Sequence, residues 1–378
     1  MPTPEPQREI ITRGCRECAL REPCGGRDIG NDDLFGCYDR CYNKCAREGC
    51  DLTCSNNQQL FAERWAEVGG LLEFSHSDFS AIASGQFSAY IPMIRGGIIR
   101  KRRLNADFVA LSLYEALRAL KVRNRYIPTG RSEFRKKLRL RDDCKILLVG
   151  VGPDALIESF WRHHAMLVAL LPPLDVVAVT APNFSSFIDV PRDHILYNRK
   201  RSLIVADKLL AFGVPVVPHF NANTARDWKF WAELLRDTPG LRIFCKEFQT
   251  GNRMKVNYEE SVHQMAHLQE TVGDSLHPIV VAGKKAVDLL KRHFSRFTLV
   301  DSMPSIKTNM RQVIRIAPNG IAHWRTLPSN RKACLASLLD YNLAAYKTVM
   351  LRVIGDRSDI PVTRRLERNP EELLLSLV

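Results

Sequence analysis

The chain is predicted to be an α/β protein: a (β/α)8-like parallel barrel with a cysteine-rich metal module ahead of it. Three observations predict this. Short, almost wholly apolar runs recur through residues 57–330, and amphipathic helical stretches separate them. Runs that apolar and that short suit strands covered on both faces, and strand alternating with helix implies a parallel sheet with right-handed crossovers. Finally, eight of the 11 cysteines crowd into residues 15–54.

The cysteines come first in the chain: Cys15, Cys18, Cys24, Cys37, Cys41, Cys45, Cys50 and Cys54. Disulfides need an oxidising compartment, and Met1–Cys15 lacks the apolar core of an export signal. Structural zinc takes four thiolates, and Cys15-x-x-Cys18 suits it. An iron–sulfur cluster (4Fe-4S) also takes four cysteines. Gly25 and Gly36 beside Cys24 and Cys37 favour it slightly, because backbone amides there can approach cluster sulfur. Cys37, Cys41 and Cys45 would lie along one helical face. Their spacing is not the three-cysteine loop of radical SAM enzymes. No histidine occurs in the first 54 residues, which excludes mixed Cys/His fingers there. The expectation is one or two metal or iron–sulfur centres on residues 1–56.

A helix is expected over Ser55–Phe74, ended at Gly69-Gly70. The apolar runs then follow in order: Ser88–Ile94, Ile146–Gly150, Val176–Ala181, Val214–Phe220, Arg242–Phe248, Ile279–Gly283 and Phe297–Asp301. Val313–Ala317 is either an eighth unit or one arm of a hairpin turning at Pro318-Asn319-Gly320. Helices are expected at Ala106–Leu120, Asp154–Leu170, Lys200–Phe212, Asp227–Arg236, Tyr258–Val272 and Lys284–Phe294. About eight units in this length match a barrel better than the runner-up, an open doubly wound sheet. Residues 331–378 form a basic, helical tail.

Charge is uneven. The net formal charge is +14, and residues 95–145 hold 16 Lys and Arg against 5 acids. Such a block is the footprint of a polyanion, most often nucleic acid. Arg100, Lys101, Arg102, Arg103, Arg135, Lys136 and Lys137 are its expected contacts. No membrane span is expected, because no stretch of about 18 apolar residues occurs; a cytoplasmic location follows.

Sites on parallel barrels form where strands end. That rule nominates His219, Glu247 and Asp301 as acid/base residues. It also nominates Asn183, Asn221, Asn223 and Gln249 as readers of a substrate edge, and Lys246, Arg199 and Arg201 as phosphate holders. Lys246 and Glu247 are neighbours in a strand, so they must face opposite sides. Val149–Asp154 offers a Gly-x-Gly turn, but the full dinucleotide pattern fails at Ala155.

Ala181–Pro191 (APNFSSFIDVP), Tyr197–Leu203 (YNRKRSL), Gly213–Ala222 (GVPVVPHFNA) and Ile279–Gly283 (IVVAG) resemble a family of uncharacterised proteins carried by bacterial phages and mobile elements. The resemblance runs over about residues 176–303, a third of the chain. It implies a bacterial or phage source and a barrel-like fold. It implies no activity and transfers no site residue. Two functions are expected to compete. One is a metal- or iron–sulfur-containing barrel enzyme acting on nucleic acid or a nucleotide-like substrate. The other is a non-enzymatic DNA-binding or protein-interaction factor with a structural zinc module.

Overall fold

The computed structural model describes residues 50–54, 57–71, 79, 84–96, 100, 102–186, 190–249, 255–317, 321–327 and 334–356. Cys15, Cys18, Cys24, Cys37, Cys41 and Cys45 lie outside the described residues, as do Lys101 and the tail beyond Asp356.

Eight parallel strands form one sheet: β1 (Tyr90–Ile94), β2 (Phe108–Ser112), β3 (Lys145–Val149), β4 (Ala178–Thr180), β5 (Val216–Val217), β6 (Ile243–Glu247), β7 (His277–Val281) and β8 (Thr298–Asp301). Their order is β5-β4-β3-β2-β1-β8-β7-β6, so chain neighbours are sheet neighbours. The two ends then meet. His219 and Cys245 form a parallel bridge, in which Phe220 N donates to Cys245 O at 2.9 Å and Cys245 N to Pro218 O at 2.8 Å. The sheet is thus an eight-stranded, nearly closed barrel, as the strand-helix alternation predicts.

Side chains alternate across the wall. Ile91, Ala110, Leu147, Val217, Ile279 and Val300 belong to the inner cluster. Tyr90, Val109, Leu148, Val280 and Leu299 face the helices. Almost every strand residue is buried, which explains the continuous apolar runs. Burying each Val, Leu or Ile contributes roughly 1.5–3 kcal/mol.

The helices are α1 (Gln58–Glu67), α2 (Leu113–Ala119), α3 (Arg131–Lys137), α4 (Asp154–Val168), α5 (Arg192–Ala211), α6 (Ala225–Asp237), α7 (Lys255–Val272), α8 (Val287–His293), α9 (Met303–Asn309) and α10 (Leu335–Ile354). Two expectations change. The stretch expected as one helix, Ala106–Leu120, splits into β2 and α2. Its apolar spacing satisfies a helix, but all five residues Phe108–Ser112 are buried between β1 and β3, where only a strand completes the wall. Helix α5 begins at Arg192, eight residues before the expected start, because Pro191 occupies its N-cap and Asp193 its first turn. The hairpin alternative holds: β9 (Gln312–Ile316) pairs antiparallel with β10 (Ala322–Thr326), outside the barrel. Among the described residues no helix lies between β1 and β2, and α10 packs against β1.

Gly150 ends β3 and admits no side chain. A Cβ there would stand 2.5 Å from Thr180 O and 2.6 Å from Ala181 O. Gly150→Ala is therefore expected to destabilise the fold by about 1–3 kcal/mol through forced separation of β3 from β4. A circular-dichroism melt checks this; an unchanged midpoint would mean the turn has slack.

Candidate active site at the carboxyl rim

Loops leaving the strand ends form the rim. Between the ends of β1, β6, β7 and β8 lies a cavity of about 410 Å³, bounded by Arg95, Gln249, Lys284, Lys285, Asp301 and Ser302, with Phe248 and Tyr258 as its apolar walls. The turn after β7 shapes it. Ala282 takes a left-handed backbone (φ 64°) that L-residues seldom adopt. Such strain costs about 1–3 kcal/mol and clusters where a ligand must be approached. Here Ala282 N is held by Val300 O at 2.8 Å, and the exposed Lys284 and Lys285 follow at the rim.

Asp301 lies at the end of β8, lines the cavity and is buried. Its carboxylate accepts from Met303 N at 2.8 Å and from the Tyr346 hydroxyl at 3.0 Å. Burial raises its proton affinity above the usual carboxylate range, against the pull of those two donors and of Lys284. A buried carboxyl shifted upward in a cavity is a candidate acid/base group.

The other nominees separate. Glu247 shares the inward parity of Cys245 and accepts from Gln249 N. Lys246 faces outward, its ammonium 3.2 Å from Phe220 O and 5.7 Å from the Trp228 ring centroid. Burial lowers its pKa to about 8, although Glu247 and Asp227 raise it. His219 is inside the wall, 2% exposed, and neither ring nitrogen has a hydrogen-bond partner among the described residues. Burial and then Lys246 lower its pKa to about 3, so it is a neutral, weakly basic imidazole. That leaves it poorly matched to the general-base role nominated from the sequence.

The β4–β5 side of the rim is laced shut. Asn221 donates to Asn183 Oδ1 at 2.7 Å and to Phe184 O at 3.2 Å; Asn223 donates to Ser186 Oγ at 2.8 Å. Two of the three expected phosphate holders, Arg199 and Arg201, are spent on carboxylates. Arg192 and Arg199 both grip Asp227, and Arg201 pairs with Glu158 at 2.6 Å while lying against the rings of Phe184 and Tyr197. Arg201 is 1% exposed, so a phosphate cannot reach it without displacing Glu158. Lys284 and Lys285 are cavity cations that the strand-end rule leaves out, and Arg95, at the end of the first apolar run, joins them. A Gly-Lys-Lys turn directly after an apolar run was the available signal.

The last described part of the cysteine segment meets this same end of the barrel. Thr53 N donates to His194 Nδ1 at 3.1 Å in the first turn of α5, and Cys54 is buried. Glu67 of α1 accepts from Tyr197 and Trp161. Neither Cys50 nor Cys54 is in a disulfide. Among the described residues no three His, Cys, Asp or Glu side chains gather into a metal site.

The basic block lies elsewhere. Arg100, Arg102 and Arg103 precede β2, and Leu104 bridges Leu140 just before β3, at the amino ends of the strands. Arg135 is buried and donates to the carbonyls of Cys144, Leu174 and Asp175, a correction to its expected role as a surface contact. Lys136 and Lys137 are exposed, the latter paired with Glu133 at 3.2 Å. Among the described residues no helix is long and apolar enough to cross a membrane. No family model matches the chain, and no curated protein matches it.

Asp227 yields a stability prediction. Burial pushes its carboxyl up, but Arg192, Arg199 and the Asn223 amide outweigh this and hold it below the usual carboxylate value. A depressed folded pKa stabilises fully above the unfolded value of about 3.9, and that stability is lost as pH falls through the folded pKa. Asp227→Asn should cost about 3–5 kcal/mol at neutral pH, leaving two buried guanidiniums short of charge. It should also flatten the acid limb of the stability curve, read by urea titration across pH.

Proposed function

We propose that this chain is a barrel enzyme acting on a phosphate-bearing, nucleotide-like substrate at the rim cavity, with Asp301 as its acid/base group. One observation carries the reading: a buried carboxyl of raised proton affinity lines the same cavity as Arg95, Lys284 and Lys285. Lys284 and Lys285 follow β7, one of the strand ends after which barrels commonly hold phosphate, and Arg95 reaches the same cavity from the end of β1. Phe248 and Tyr258 supply flat walls for a base, and Gln249 supplies hydrogen bonds to its edge. Tyr346 fixes one oxygen of Asp301 and the Met303 amide fixes the other, so the carboxyl is oriented before substrate arrives.

The cysteines supply the second half of the proposal. Cys50 and Cys54 flank Thr53 at the rim end of the barrel, and neither is in a disulfide. Together with Cys15, Cys18, Cys24, Cys37, Cys41 and Cys45 they offer an all-sulfur donor set, which fits zinc or an iron–sulfur cluster. An iron–sulfur centre would supply electrons; zinc would order the arm. The proposed setting is a bacterial phage or mobile element, with nucleic acid as the partner.

Calorimetry with nucleoside monophosphates tests the pocket. Arg95→Ala with Lys284→Ala should weaken binding at least about tenfold through loss of charge-assisted contacts. Unchanged affinity would remove the pocket from the mechanism. Where a reacting substrate is identified from a nucleotide panel, kcat/KM should rise with pH through a limb above the usual carboxylate range, and Asp301→Asn should abolish that limb.

Metal and sulfide content of anaerobically purified protein tests the module. Stoichiometric iron and sulfide, or zinc, is expected, and Cys50→Ser with Cys54→Ser should lower it. A metal-free protein with all eight thiols reactive would overturn the module.

A further inference from the structure

We propose that the amino mouth of the barrel is a docking site for single-stranded nucleic acid, separate from the rim pocket. It rests on nucleic acid being the partner, not on the chemistry at Asp301.

A cavity of about 910 Å³ opens at this end, larger than the one at the rim. Its walls come from the segments that enter β1, β2, β3, β7 and β8, and from the end of α10. Lys145, Lys291, Arg296 and Lys347 line it. Asp107 and Asp143 line it too, and Arg141 bridges both, at 3.0 Å to Asp107, which offsets one of their two negative charges. Asp356 is the remaining acid in the lining. Positive surface continues outward from the mouth. Arg103 and Arg139 are brought side by side by the Leu104–Leu140 bridge, where Leu104 N donates to Arg139 O. Of the basic block recognised in the sequence, Lys145 lines this opening, and Arg139 and Arg103, the latter paired with Asp142 at 2.7 Å, lie at the same end of the barrel.

The floor is aromatic. Phe87 and Phe108 have ring centroids 6.3 Å apart, and His277 meets Phe87 edge-on at 6.1 Å. Thr298 explains the state of that histidine. Its hydroxyl donates to Ser88 O at 3.0 Å, so toward His277 Nε2, 2.9 Å away, it can only accept. The proton therefore sits on Nε2, and Nδ1 is an acceptor with no partner among the described residues, on a side chain only 4% exposed. A base N–H reaching the floor would satisfy it. Burial, then Arg296, holds the ring neutral, its pKa lowered to about 4.

These features fit a flexible strand better than a duplex. Phosphates meet Lys and Arg around the mouth, and an unpaired base can enter an aromatic-floored recess. A duplex keeps its bases stacked inside a stiff rod and presents only backbone to such a recess.

Fluorescence anisotropy with labelled oligo-dT, oligo-U and a hairpin duplex of equal charge tests the proposal on the full chain. Single strands should bind, and Lys145→Glu with Arg296→Glu should weaken them at least about tenfold and flatten the salt dependence by about two phosphate contacts. The milder Lys145→Gln with Arg296→Gln should give an intermediate loss with an unchanged circular-dichroism melt, which separates lost binding from lost fold. Nucleoside monophosphate binding, measured on the same preparations, reports on the rim. Strand binding lost with monophosphate binding kept supports two sites. Strand affinity unchanged in both variants, or duplex bound as tightly as single strand, overturns this proposal and leaves the rim reading standing. Monophosphate binding absent from the wild type, with strand binding sensitive to Lys145 and Arg296, removes the rim reading and leaves this one.

Discussion

The closure between β5 and β6 is the constraint on which the rest of the molecule depends. A parallel sheet of eight strands left open would present two edges of unpaired amides and carbonyls. Two backbone hydrogen bonds, Phe220 N to Cys245 O and Cys245 N to Pro218 O, bring those edges together. Closure forces every strand to be buried on both faces, and it carries His219 into the wall, where its ring nitrogens have no partner among the described residues. An unsatisfied buried polar group costs about 1–3 kcal/mol. The bonds that join β5 to β6 are made by the two chain neighbours of His219, Pro218 and Phe220, which fixes the position of the residue between them.

Closure also dictates how the outside is covered. Seven strands are followed by a described helix, but β1 runs to β2 without one among the described residues. Helix α10 returns from the far end of the chain and packs on β1. It brings Tyr346 against Asp301, and Tyr90 and Trp324 against Tyr346, with ring centroids 5.9 and 5.7 Å away. The protonation of the rim carboxyl is therefore tied to the docking of a helix that belongs to no βα unit. The two halves of the rim differ for the same reason. Around β4 and β5, asparagines and buried arginine–carboxylate pairs lock the loops together. Around β7, β8 and β1, the cavity and the strained Ala282 turn are found. Rigidity on one side positions what happens on the other.

The barrel was legible in the sequence because burial on both faces leaves an unambiguous mark: short apolar runs at regular spacing. The mark failed once, at Phe108–Ser112, where a buried strand runs directly into an apolar helix and the combined spacing mimics a single helix. Site residues were legible only as positions. The carboxyl-end rule led to Asp301 and Gln249, which line one cavity, and to Glu247, which does not line it. It could not tell a cation free to meet a ligand from one already engaged. Arg199 and Arg201 look like phosphate holders until Asp227 and Glu158, 28 and 43 residues away, are seen to claim them. Arg135 looks like surface charge until three carbonyls from two separate turns are found around it. Pairings over such distances leave no local pattern.

The positions of the basic groups bear on whether the two proposed polyanion sites would act independently. The rim cations and the amino-mouth cations are separated by the length of the strands. Five residues of parallel strand rise about 17 Å, roughly twice the screening length of about 8 Å at physiological salt. Charges exposed at one end are therefore largely invisible in solution to charges at the other. Neither patch raises the cost of assembling its opposite much, and an anion held at one does not discharge the other. Along the wall between them the strands are apolar and dry, so little coupling passes through the core except by movement of whole elements. Helix α10 is the element placed to do that: Lys347 lines the amino mouth and Tyr346, the residue before it, holds Asp301 at the rim.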